Sequence, residues 1–589
     1  MLTVEYKYVV SREDLPSIAE ELIRVDAYGL DIETAGTSIH PMDGKIRLIQ
    51  LKLPSGIYVI DLFQVRDASC IFDAMRETNA IVIGFNLKFE QRWLLYHHNV
   101  VFRRLFCAFR ASNLIYNGKN LRHDLYSVLA RELDIAPQVE DRQMSDWSAF
   151  VLTKEQLDYA AFDVQHLFEL RGALKIKLAK WSLNKVALIE FNVILPEASV
   201  ENHGLPFDKD MWMSLAADNE IKSKALRMEL IRELPNPSDQ LCFPGIDPPF
   251  NLDSPVQLLK SLRKLGVKTE STREIHLASF ISAFPVLQKL FLYREASKSL
   301  SSFGIEYLVH IHPKTGRIHC NFYPFTAAGR YATSHPNLGQ IPRDKRFRKC
   351  FRPGKGKVLI IVDYSGIEMR GGAYVSRDPT LILIFKSGKD VHRATAAIIA
   401  GKSEADVTKD ERQKAKSANF GFLYGMGSAK FILYAQMGYK VTFSPAEAKE
   451  LRSSWLKAYS GVQVWQSEVV EEGKRRGYSR TLSGRIRFYE NPDEVYSEYM
   501  NTPVQGSCTG DGIKLALRNV YDRLLKYNGR AFITHHVHDE IITECEDDPE
   551  LIPAVKNDVQ EGMKEAMGVL IPDIPIDVEG GVGTSWAEK

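Results

Sequence analysis

The chain has 589 residues, of which 45% are hydrophobic and 25% charged, and its formal net charge is +2. This length exceeds what one hydrophobic core supports and predicts about three to five domains, while the near-neutral charge neither favours nor excludes nucleic acid as a partner. Scattered cysteines without a CxxC pair argue against a disulfide framework and a zinc site. Because the chain also lacks a signal peptide and any apolar run near the roughly 18 residues of a membrane span, we expect a soluble intracellular protein.

Residues 1 to about 175 alternate short apolar strands with helical stretches, a pattern typical of an α/β domain. The strand candidates are AYGLDIE, IRLIQLKL, GIYVIDL and IVIGFN.

Four acids and one tyrosine make this N-terminal region a candidate two-metal site. Asp31 and Glu33 alternate along one strand, which places both carboxylates on the same face. Tyr159 and Asp163 are about one helical turn apart, and Glu90 follows a strand in GFNLKFEQRWL. Singly, such acids are ordinary surface residues. Clustered, they can bind two cations and orient a water for in-line attack on a phosphodiester.

Residues from about 205 to 310 predict long amphipathic helices, interrupted by the Pro/Gly-rich stretch LPNPSDQLCFPGIDPPFNLDSP, and thus an arm rather than a catalytic core. Strands resume near 317, helices dominate from about 376 to 480, and strands return in FITHHVHDEIITEC. The last strands therefore close a region that began before the helical insertion.

Acidic residues interrupt two of these late strands. Asp363 ends the apolar run KVLIIVD, and Asp539 and Glu540 lie within FITHHVHDEIIT. A charge at the apolar end of a strand is costly unless something pairs with it. These acids either cap turns or hold two magnesium ions roughly 3.5–4 Å apart, which would bridge a triphosphate, activate a hydroxyl and neutralise the leaving pyrophosphate.

Arg412, Lys416, Phe420 and Tyr424 are spaced four apart in RQKAKSANFGFLYG, so a helix through them carries all four on one stripe about 18 Å long. Two cations followed by two aromatics suit a triphosphate with its sugar or base. The alternative is a surface helix with solvated cations and a buried aromatic edge.

Two basic strips, 341–357 and 474–487, contain eight and six Lys/Arg residues. Each is either a solvated face or a set of phosphate contacts, and their place beside candidate chemistry favours the second interpretation.

Several of these motifs resemble one enzyme family. VDYSGIEMR, RQKAKSANFGFLYG and HHVHDE resemble motifs A, B and C of family A DNA polymerases, in the same order and at similar separations. AAGRYATSHPNLGQIP, GKDVHRATAA, NTPVQGS and GVGTSWAEK extend the likeness over 190–589, and the N-terminal acids with SDWSAFVLTKEQLDYAAFDV resemble the 3′–5′ exonuclease domain of the same family.

The resemblance implies an α/β multi-domain fold, in which a ribonuclease H-like exonuclease domain at 1–190 precedes a right-hand polymerase domain at 191–589. The implied subdomains are a thumb at about 205–316, fingers at about 376–488, and a palm at about 317–375 and 489–589. Because the chain begins at the exonuclease, we also expect it to lack the family's 5′ nuclease.

The resemblance also implies the roles of the polymerase residues. Asp363, Asp539 and the Tyr364 carbonyl would bind metal, with Glu540 as a supporting carboxylate. Arg412, Lys416 and His392 would hold the triphosphate, and Lys416 would protonate pyrophosphate. Phe420 would pack on the sugar, Tyr424 would stand by the template base, and Glu368 would be the steric gate against a ribose 2′-hydroxyl. The implied DNA contacts, some in the minor groove, are Arg330, Asn337, Asn501, Gln505 and His538.

In the exonuclease domain the resemblance implies metal ligation by Asp31, Glu33, Glu90 and Asp163, with Tyr159 assisting catalysis. Glu90 departs from the family's usual Asp. Its extra methylene exceeds the roughly 0.5 Å tolerance of productive sites, yet glutamate still offers two oxygens to a hard cation, so we expect active proofreading. The expected cofactor is Mg²⁺, two ions per active site, with Mn²⁺ as a substitute.

Three further departures concern the polymerase region. Gly366 and Gly339 stand where the family usually has Gln, and Ser497 stands where an Arg is frequent. We expect intact chemistry with altered primer–template grip or mismatch sensing.

Three alternatives remain open: a single-subunit RNA polymerase, a catalytically dead DNA-binding or processivity factor, and a nuclease whose C-terminal part only holds DNA. Glu368 argues against the first, and intact Asp363, Asp539, Arg412 and Lys416 argue against the second. Expected partners are primer–template DNA and dNTPs, then a helicase or other replication proteins, and no membrane. We expect a monomer in the cytoplasm of a bacterial or phage-infected cell, or in an organelle.

Overall fold

The computed structural model describes residues 4–36, 39–136, 145–238, 250–281, 283–342 and 344–588. Most of the Pro/Gly-rich stretch singled out in the sequence, residues 239–249, lies outside the described residues. Within the described residues, every helix is too short or too polar to cross a membrane.

A six-stranded mixed sheet forms the N-terminal part, and the four predicted apolar runs supply four of its strands. Its strands are β1 (Lys7–Val9), β2 (Ala27–Ala35), β3 (Lys45–Leu53), β4 (Gly56–Asp61), β5 (Ile81–Gly84) and β6 (Leu105–Cys107). Their order is β1-β4-β3-β2-β5-β6, with β3 antiparallel to both of its neighbours and the other pairs parallel.

Helices cover this sheet and complete a core of buried residues that extends from Val4 to Ile194. They are α1 (Leu15–Arg24), α2 (Leu62–Val65), α3 (Ser69–Glu77), α4 (Lys88–His98), α5 (Ala108–Ile115), α6 (Leu125–Leu133), α7 (Lys154–Gln165) and α8 (Leu167–Lys180). Helix α7 packs on β2, β3 and β4, which places its side chains over the carboxylates of β2.

A helical arm follows, as predicted. Helices α9 (Asn184–Asn192) and α10 (Ile194–His203) and strand β7 (Leu205–Pro206) lead into it, and its helices are α11 (Lys209–Glu233), α12 (Pro255–Lys264), α13 (Glu274–Leu277) and α14 (Val286–Phe303). The outer part has its own small core of leucines and aromatics, so it is stabilised separately from the rest of the molecule.

The C-terminal part contains a four-stranded antiparallel sheet in the order β14 (Ala531–Val537), β15 (Glu540–Glu546), β11 (Lys357–Tyr364) and β16 (Val578–Gly583). Before the helical insertion the elements are β8 (Arg317–Ile318), β9 (Asn321–Tyr323), β10 (Ala332–Ser334), α15 (Lys345–Lys349) and β11 (Lys357–Tyr364). The insertion comprises α16 (Ile367–Ser376), α17 (Pro379–Lys386), α18 (Val391–Ala400), α19 (Lys409–Phe422), α20 (Ser428–Tyr439), α21 (Pro445–Ala458) and α22 (Ser460–Arg476).

The chain then returns to the sheet. The returning elements are β12 (Tyr478–Arg480), β13 (Ile486–Phe488), α23 (Tyr496–Asn501), a π-helical segment (Thr502–Gly512), α24 (Ile513–Leu524), β14 (Ala531–Val537), β15 (Glu540–Glu546), α25 (Leu551–Gly568) and β16 (Val578–Gly583). Strand β11 pairs with β15, which confirms that late strands close a region begun before the insertion. The subdomain boundaries themselves stay predictions.

Candidate active sites

The first acidic centre follows from the register of the C-terminal sheet. Asp363, near the end of β11, lies opposite Glu540 on β15. His538 and Asp539 form the turn between β14 and β15, and His538 adopts a left-handed φ of 55°, as tight hairpin turns require. The amide of Tyr364 donates to the carbonyl of Asp539 at 3.3 Å. The strand end and the turn are therefore held side by side.

The electrostatics of this centre suit a cation. Burial, and then the neighbouring Asp363 carboxylate, raise the pKa of Asp539 to about 6. Two carboxylates that disfavour each other's ionisation gain most from a positive ion between them. Together with the Tyr364 carbonyl, the two aspartates offer the hard oxygen donors that Mg²⁺ and Mn²⁺ prefer, so the residues fit a divalent ion.

Glu540 belongs to the packing beneath this centre. Its register places it opposite Asp363, and its charge is one of the smaller causes of the raised pKa of Asp539. The Trp586 indole donates to its Oε1 at 2.7 Å, and the Arg348 guanidinium lies 3.7 Å from the same oxygen. The glutamate thus fixes the C-terminal segment against the sheet.

Glu368, in the first turn of α16, is the meeting point of four predicted residues. Its carboxylate accepts hydrogen bonds from the Tyr424 hydroxyl at 2.6 Å, the Arg330 guanidinium at 3.0 Å and the Gln505 amide at 3.3 Å. Burial and the adjacent Glu368 raise the pKa of Tyr424, which keeps its phenol protonated as a donor. The geometry therefore joins the predicted gate, the aromatic residue and two predicted DNA contacts in one cluster.

The predicted helix through Tyr424 is two residues too long, because α19 ends at Phe422. Gly425 has a φ of 71°, its amide donates to the Phe422 carbonyl at 3.0 Å, and the Met426 amide donates to the Gly421 carbonyl at 3.2 Å. These two bonds form a Schellman ending. Tyr424 therefore lies in the closing turn, still next to the helix end.

The basic end of α19 is held in place by a neighbouring carboxylate. Arg412 Nη2 lies 2.7 Å from Asp390 Oδ2, and Asp390 also caps α18 through the amides of His392 and Arg393. Lys416 follows Arg412 one turn later on the same face and is partly buried. An incoming anion would therefore compete with Asp390 for Arg412.

His392 is buried and uncharged. Burial lowers its pKa to about 4, and its Nδ1 lies 2.9 Å from the Asn419 amide nitrogen. Its ring lies 5.6 Å from that of Phe420. The structure therefore places the predicted phosphate-binding histidine as a neutral hydrogen-bonding group beside the predicted sugar-binding aromatic.

The remaining predicted DNA contacts lie apart from Glu368. Asn337 is exposed and accepts a hydrogen bond from Thr333 at 2.9 Å. Asn501 ends α23, and His538 is exposed beside Asp539.

The second acidic centre lies on the N-terminal sheet. Ligand oxygens of Asp31 and Glu33 on β2 and of Asp163 on α7 all lie within 4.8 Å of one another. These three acids are the group among the described residues in which at least three potential ligands lie close enough together to hold one metal ion. Strand alternation and the packing of α7 on β2 explain why they meet.

Glu90, in the first turn of α4, joins this group through a hydrogen bond with Asp31. Burial raises the pKa of Asp31 to about 7, and burial followed by the Asp31 charge raises the pKa of Glu90 as well. Glu90 Oε2 is buried and accepts no hydrogen bond from the described part of the chain. A buried oxygen lacking a donor, beside three clustered carboxylates, fits a divalent cation.

Two aromatic residues without a predicted role, Tyr126 and Trp147, lie next to the second centre. Tyr159 is buried, and burial together with Asp163 and Glu33 raises the pKa of its phenol. The Tyr126 hydroxyl lies 3.4 Å from Asp163 Oδ1, and the Trp147 ring packs 6.3 Å from that of Tyr159. Tyr126 was missed because nothing in its local sequence indicates that α6 reaches the acids.

The prediction of phosphate-binding strips is wrong for Arg485 in the second strip and stays a prediction for the first. Arg485 is 2% exposed and pairs with Glu190 and Asp511, so it cannot reach DNA. Other members also have acidic partners: Arg346 with Asp344, Arg348 with Glu540, and Arg487 with Glu498. Sequence cannot show which basic residues have partners from distant segments.

The glycine departures occupy particular backbone positions. Gly366 has a φ of 61°, which favours glycine and would strain a glutamine. The Gly339 amide donates to Thr333 Oγ1 at 3.0 Å, and a Cβ there would be 3.4 Å from Asn337 Oδ1. The loop around Gly339 therefore closes on Thr333 and Asn337.

Comparison with known proteins identifies two regions. The family described as DNA polymerase family A matches residues 223–588, and the family described as 3′-5′ exonuclease matches residues 6–179. The chain is 32% identical to DNA polymerase I of Aquifex aeolicus, over 99% of this chain and 100% of that protein.

Other relatives are longer. Identity is 31% with DNA polymerase I of Pseudomonas aeruginosa, over 79% of this chain and 52% of the relative, and 33% with thermostable DNA polymerase I of Thermus aquaticus, over 62% and 45%. The chain thus spans about half the length of these two proteins. The fold is similar to the POL domain of Pol1 from M. smegmatis in complex with DNA primer-template and dNTP, with a TM-score of 0.80 and 23% identity over 99% of both chains.

Proposed function

This chain belongs to DNA polymerase family A and is a DNA-dependent DNA polymerase with a 3′-5′ exonuclease domain, and we propose that its two acidic centres divide these activities. Extension of a primer takes place at Asp363 and Asp539, and proofreading takes place at Asp31 and its neighbours. The observation that carries this proposal is the register that brings the end of β11 beside the β14–β15 turn.

At the polymerase centre the substrates are primer–template DNA and dNTPs. When bound, two divalent cations, here Mg²⁺ with Mn²⁺ as a substitute, supply charge neutralisation and promote ionisation of the primer hydroxyl. Asp363 and Asp539 provide the negative charge that holds them. Arg412 and Lys416 bind the triphosphate, and Lys416 gives a proton to the departing pyrophosphate.

Glu368 selects the sugar of the nucleotide, and the five predicted DNA contacts bind the primer–template. The Glu368 side chain occupies the space that a ribose 2′-hydroxyl needs, so the site takes deoxynucleotides. Primer–template is held by the group Arg330, Asn337, Asn501, Gln505 and His538. A Glu368→Ala variant should incorporate rNTPs at least about tenfold better in primer extension. No gain would favour another source of sugar selection.

At the exonuclease centre Asp31, Glu33, Glu90 and Asp163 hold the cations, again Mg²⁺ or Mn²⁺. The Tyr159 phenol orients the attacking water toward the terminal phosphodiester. The substrate is the unpaired 3′ end of a primer strand.

The test is a pair of variants on one mismatched primer–template. Asp363→Asn should lower extension at least about 100-fold and leave release of nucleotides from the mismatched end unchanged, since only the polymerase centre loses charge. Asp31→Ala should lower release of nucleotides from the mismatched end and leave primer extension unchanged. If either substitution abolishes both activities, or Asp363→Asn still extends, the assignment of one activity to each centre is wrong.

We attribute altered mismatch sensing to the three departures in the primer–template region. Restoring the family's usual residue with Gly339→Gln should change the ratio of matched to mismatched primer extension, because the added side chain enters the loop formed with Thr333 and Asn337. Equal ratios in both proteins would contradict this.

A further inference from the structure

Helix α4 carries charged side chains on two opposite sides. Glu90 points toward the second acidic centre, whereas Lys88 and Arg92 precede and follow it by two residues. Two residues correspond to about 200° of helical rotation, so both cations lie on the side opposite Glu90. That side faces α10 and the C-terminal part of the chain.

Lys88 fastens the start of α4 to β9. Its Nζ donates to Glu201 Oε1 on α10 and to the Phe322 carbonyl on β9, both at 2.6 Å. The Phe322 amide donates to the same carboxylate oxygen at 2.8 Å. Glu201 is only 2% exposed, so one buried carboxylate joins three elements.

Arg92 holds the next turn of α4 in place, because each of its three guanidinium nitrogens has a polar partner. Nε donates to Asn202 Oδ1 at 3.0 Å, Nη1 donates to Asn321 Oδ1 at 3.3 Å and Nη2 lies 2.8 Å from His40 Nδ1. Nη1 also lies 3.4 Å from Glu201 Oε2, and Asn202 donates back to the Arg92 carbonyl at 2.9 Å.

The surface that receives α4 lies behind the first acidic centre. The Phe322 ring stacks on His536 of β14 with centroids 4.2 Å apart and planes 16° apart. His536 precedes the turn that carries Asp539 by two residues. The elements that contact α4, helix α10 and strand β9, therefore pack against β14 of the four-stranded C-terminal sheet.

The buried ion pairs of Lys88 and Arg92 with Glu201 are weak evidence for stability, because apolar side chains of similar volume often stabilise a protein as well. These ion pairs do, however, restrict the position of α4 relative to α10 and β9. Cation sites tolerate only about 0.5 Å of misplacement. We propose that Lys88 and Arg92 are positioning residues for proofreading, an inference that rests on the proposed exonuclease function. By holding α4 against the C-terminal part of the chain, they fix the position of Glu90.

The test compares Lys88 with Lys314, two lysines that each form a contact between the N-terminal and C-terminal parts of the chain. Lys88→Met should lower exonuclease kcat on a single-stranded 3′ end about tenfold, with KM and primer extension within twofold of wild type, and Lys88→Arg should restore most of the loss. The control is Lys314→Met. Lys314 also crosses from the C-terminal part, donating to the Met42 carbonyl at 2.6 Å, but it does not touch α4, so both activities should stay unchanged.

A second readout does not depend on activity. Amide hydrogen exchange along α4 should become at least about tenfold faster in Lys88→Met and in Arg92→Met, and remain as in wild type in Lys314→Met. Unchanged α4 exchange and unchanged exonuclease kcat in both α4 variants would overturn the inference. If the wild-type chain released no nucleotides, the proposed exonuclease function itself would fail, and the positioning role with it.

Discussion

At both acidic centres, burial works against ionisation of the carboxyl groups that must bind cations. The pKa of Asp31 is raised to about 7 and that of Asp539 to about 6, in each case chiefly by burial. Protons and cations therefore compete for the same oxygens, and competition sets in at higher pH at the exonuclease centre.

This difference predicts unequal pH dependence. Between pH 8.5 and pH 6.5, at subsaturating Mg²⁺, exonuclease activity should fall about threefold more than primer extension, because a group of pKa about 7 is mostly protonated at pH 6.5 whereas one of pKa about 6 is not. The measurement is both rates on one primer–template across the pH series. Parallel profiles would contradict it, and saturating Mg²⁺ should reduce the difference.

Residue types and spacing indicated the acids at the two sites, but not their partners. Alternation along one strand predicted that Asp31 and Glu33 share a face. No sequence signal predicted that Asp390 pairs with Arg412 or that Tyr126 reaches Asp163, because these contacts depend on how separate helices pack.

At the scale of elements, the ending of α19 decides where Tyr424 stands. Gly425 adopts a left-handed conformation that closes the helix and aims the tyrosine at Glu368. A four-residue spacing alone predicts continued helix, and the glycine after Tyr424 was the signal for its end.

Gly425→Ala should therefore raise the KM for dNTPs about fivefold and destabilise the protein by about 1–2 kcal/mol, since alanine strains this φ and a Cβ would be 2.8 Å from atoms of Met500 and Tyr496. Steady-state extension and thermal unfolding measure the two effects. Gly427→Ala is the control, because that glycine has an ordinary φ of −72° and open space around it. Equal behaviour of the two variants would exclude a role for the helix ending.

The strands were predictable where apolar residues dominate, as in β3 and β11. Strand β16, with the sequence VEGGVG, has no such signal, and its pairing with β11 depends on the tertiary fold. Sheet order could not be read from the sequence, since pairing between β11 and β15 spans the whole helical insertion.

At the scale of the whole molecule, buried ion pairs join the N-terminal and C-terminal parts. Glu190 on α9 contacts Arg110 on α5, Arg485 beside β13 and Lys514 on α24. Although burial opposes its ionisation, these cations lower the pKa of Glu190 to about 2. The predicted basic strip thus contributes to assembly through Arg485.

Removing Glu190 should be costly because the buried Lys514 loses its salt-bridge partner and two buried arginines each lose one of two carboxylates. Glu190→Gln should lower the free energy of unfolding by about 3–5 kcal/mol at pH 7, measured by thermal or denaturant unfolding. Because the pKa of Glu190 is depressed in the folded chain, its stabilisation is present above about pH 4.5 and is lost as pH falls toward 2, so the difference from wild type should shrink over that range. Glu220→Gln, which removes an exposed pair with Lys224, should change stability by less than about 0.5 kcal/mol. Similar losses in both variants would contradict the account.

The most direct measurement of the central claim is a double-mutant cycle at Asp363 and Asp539 that compares Mn²⁺ affinities. The affinities are measured by electron paramagnetic resonance in a chain that also carries Asp31→Ala, which weakens the second acidic centre. If the two aspartates share a cation, either Asn substitution alone should remove most of the binding and the second should add little, giving a coupling above about 1 kcal/mol. Additive losses from the two substitutions would show that each aspartate binds its own ion, and the polymerase centre described here would be wrong.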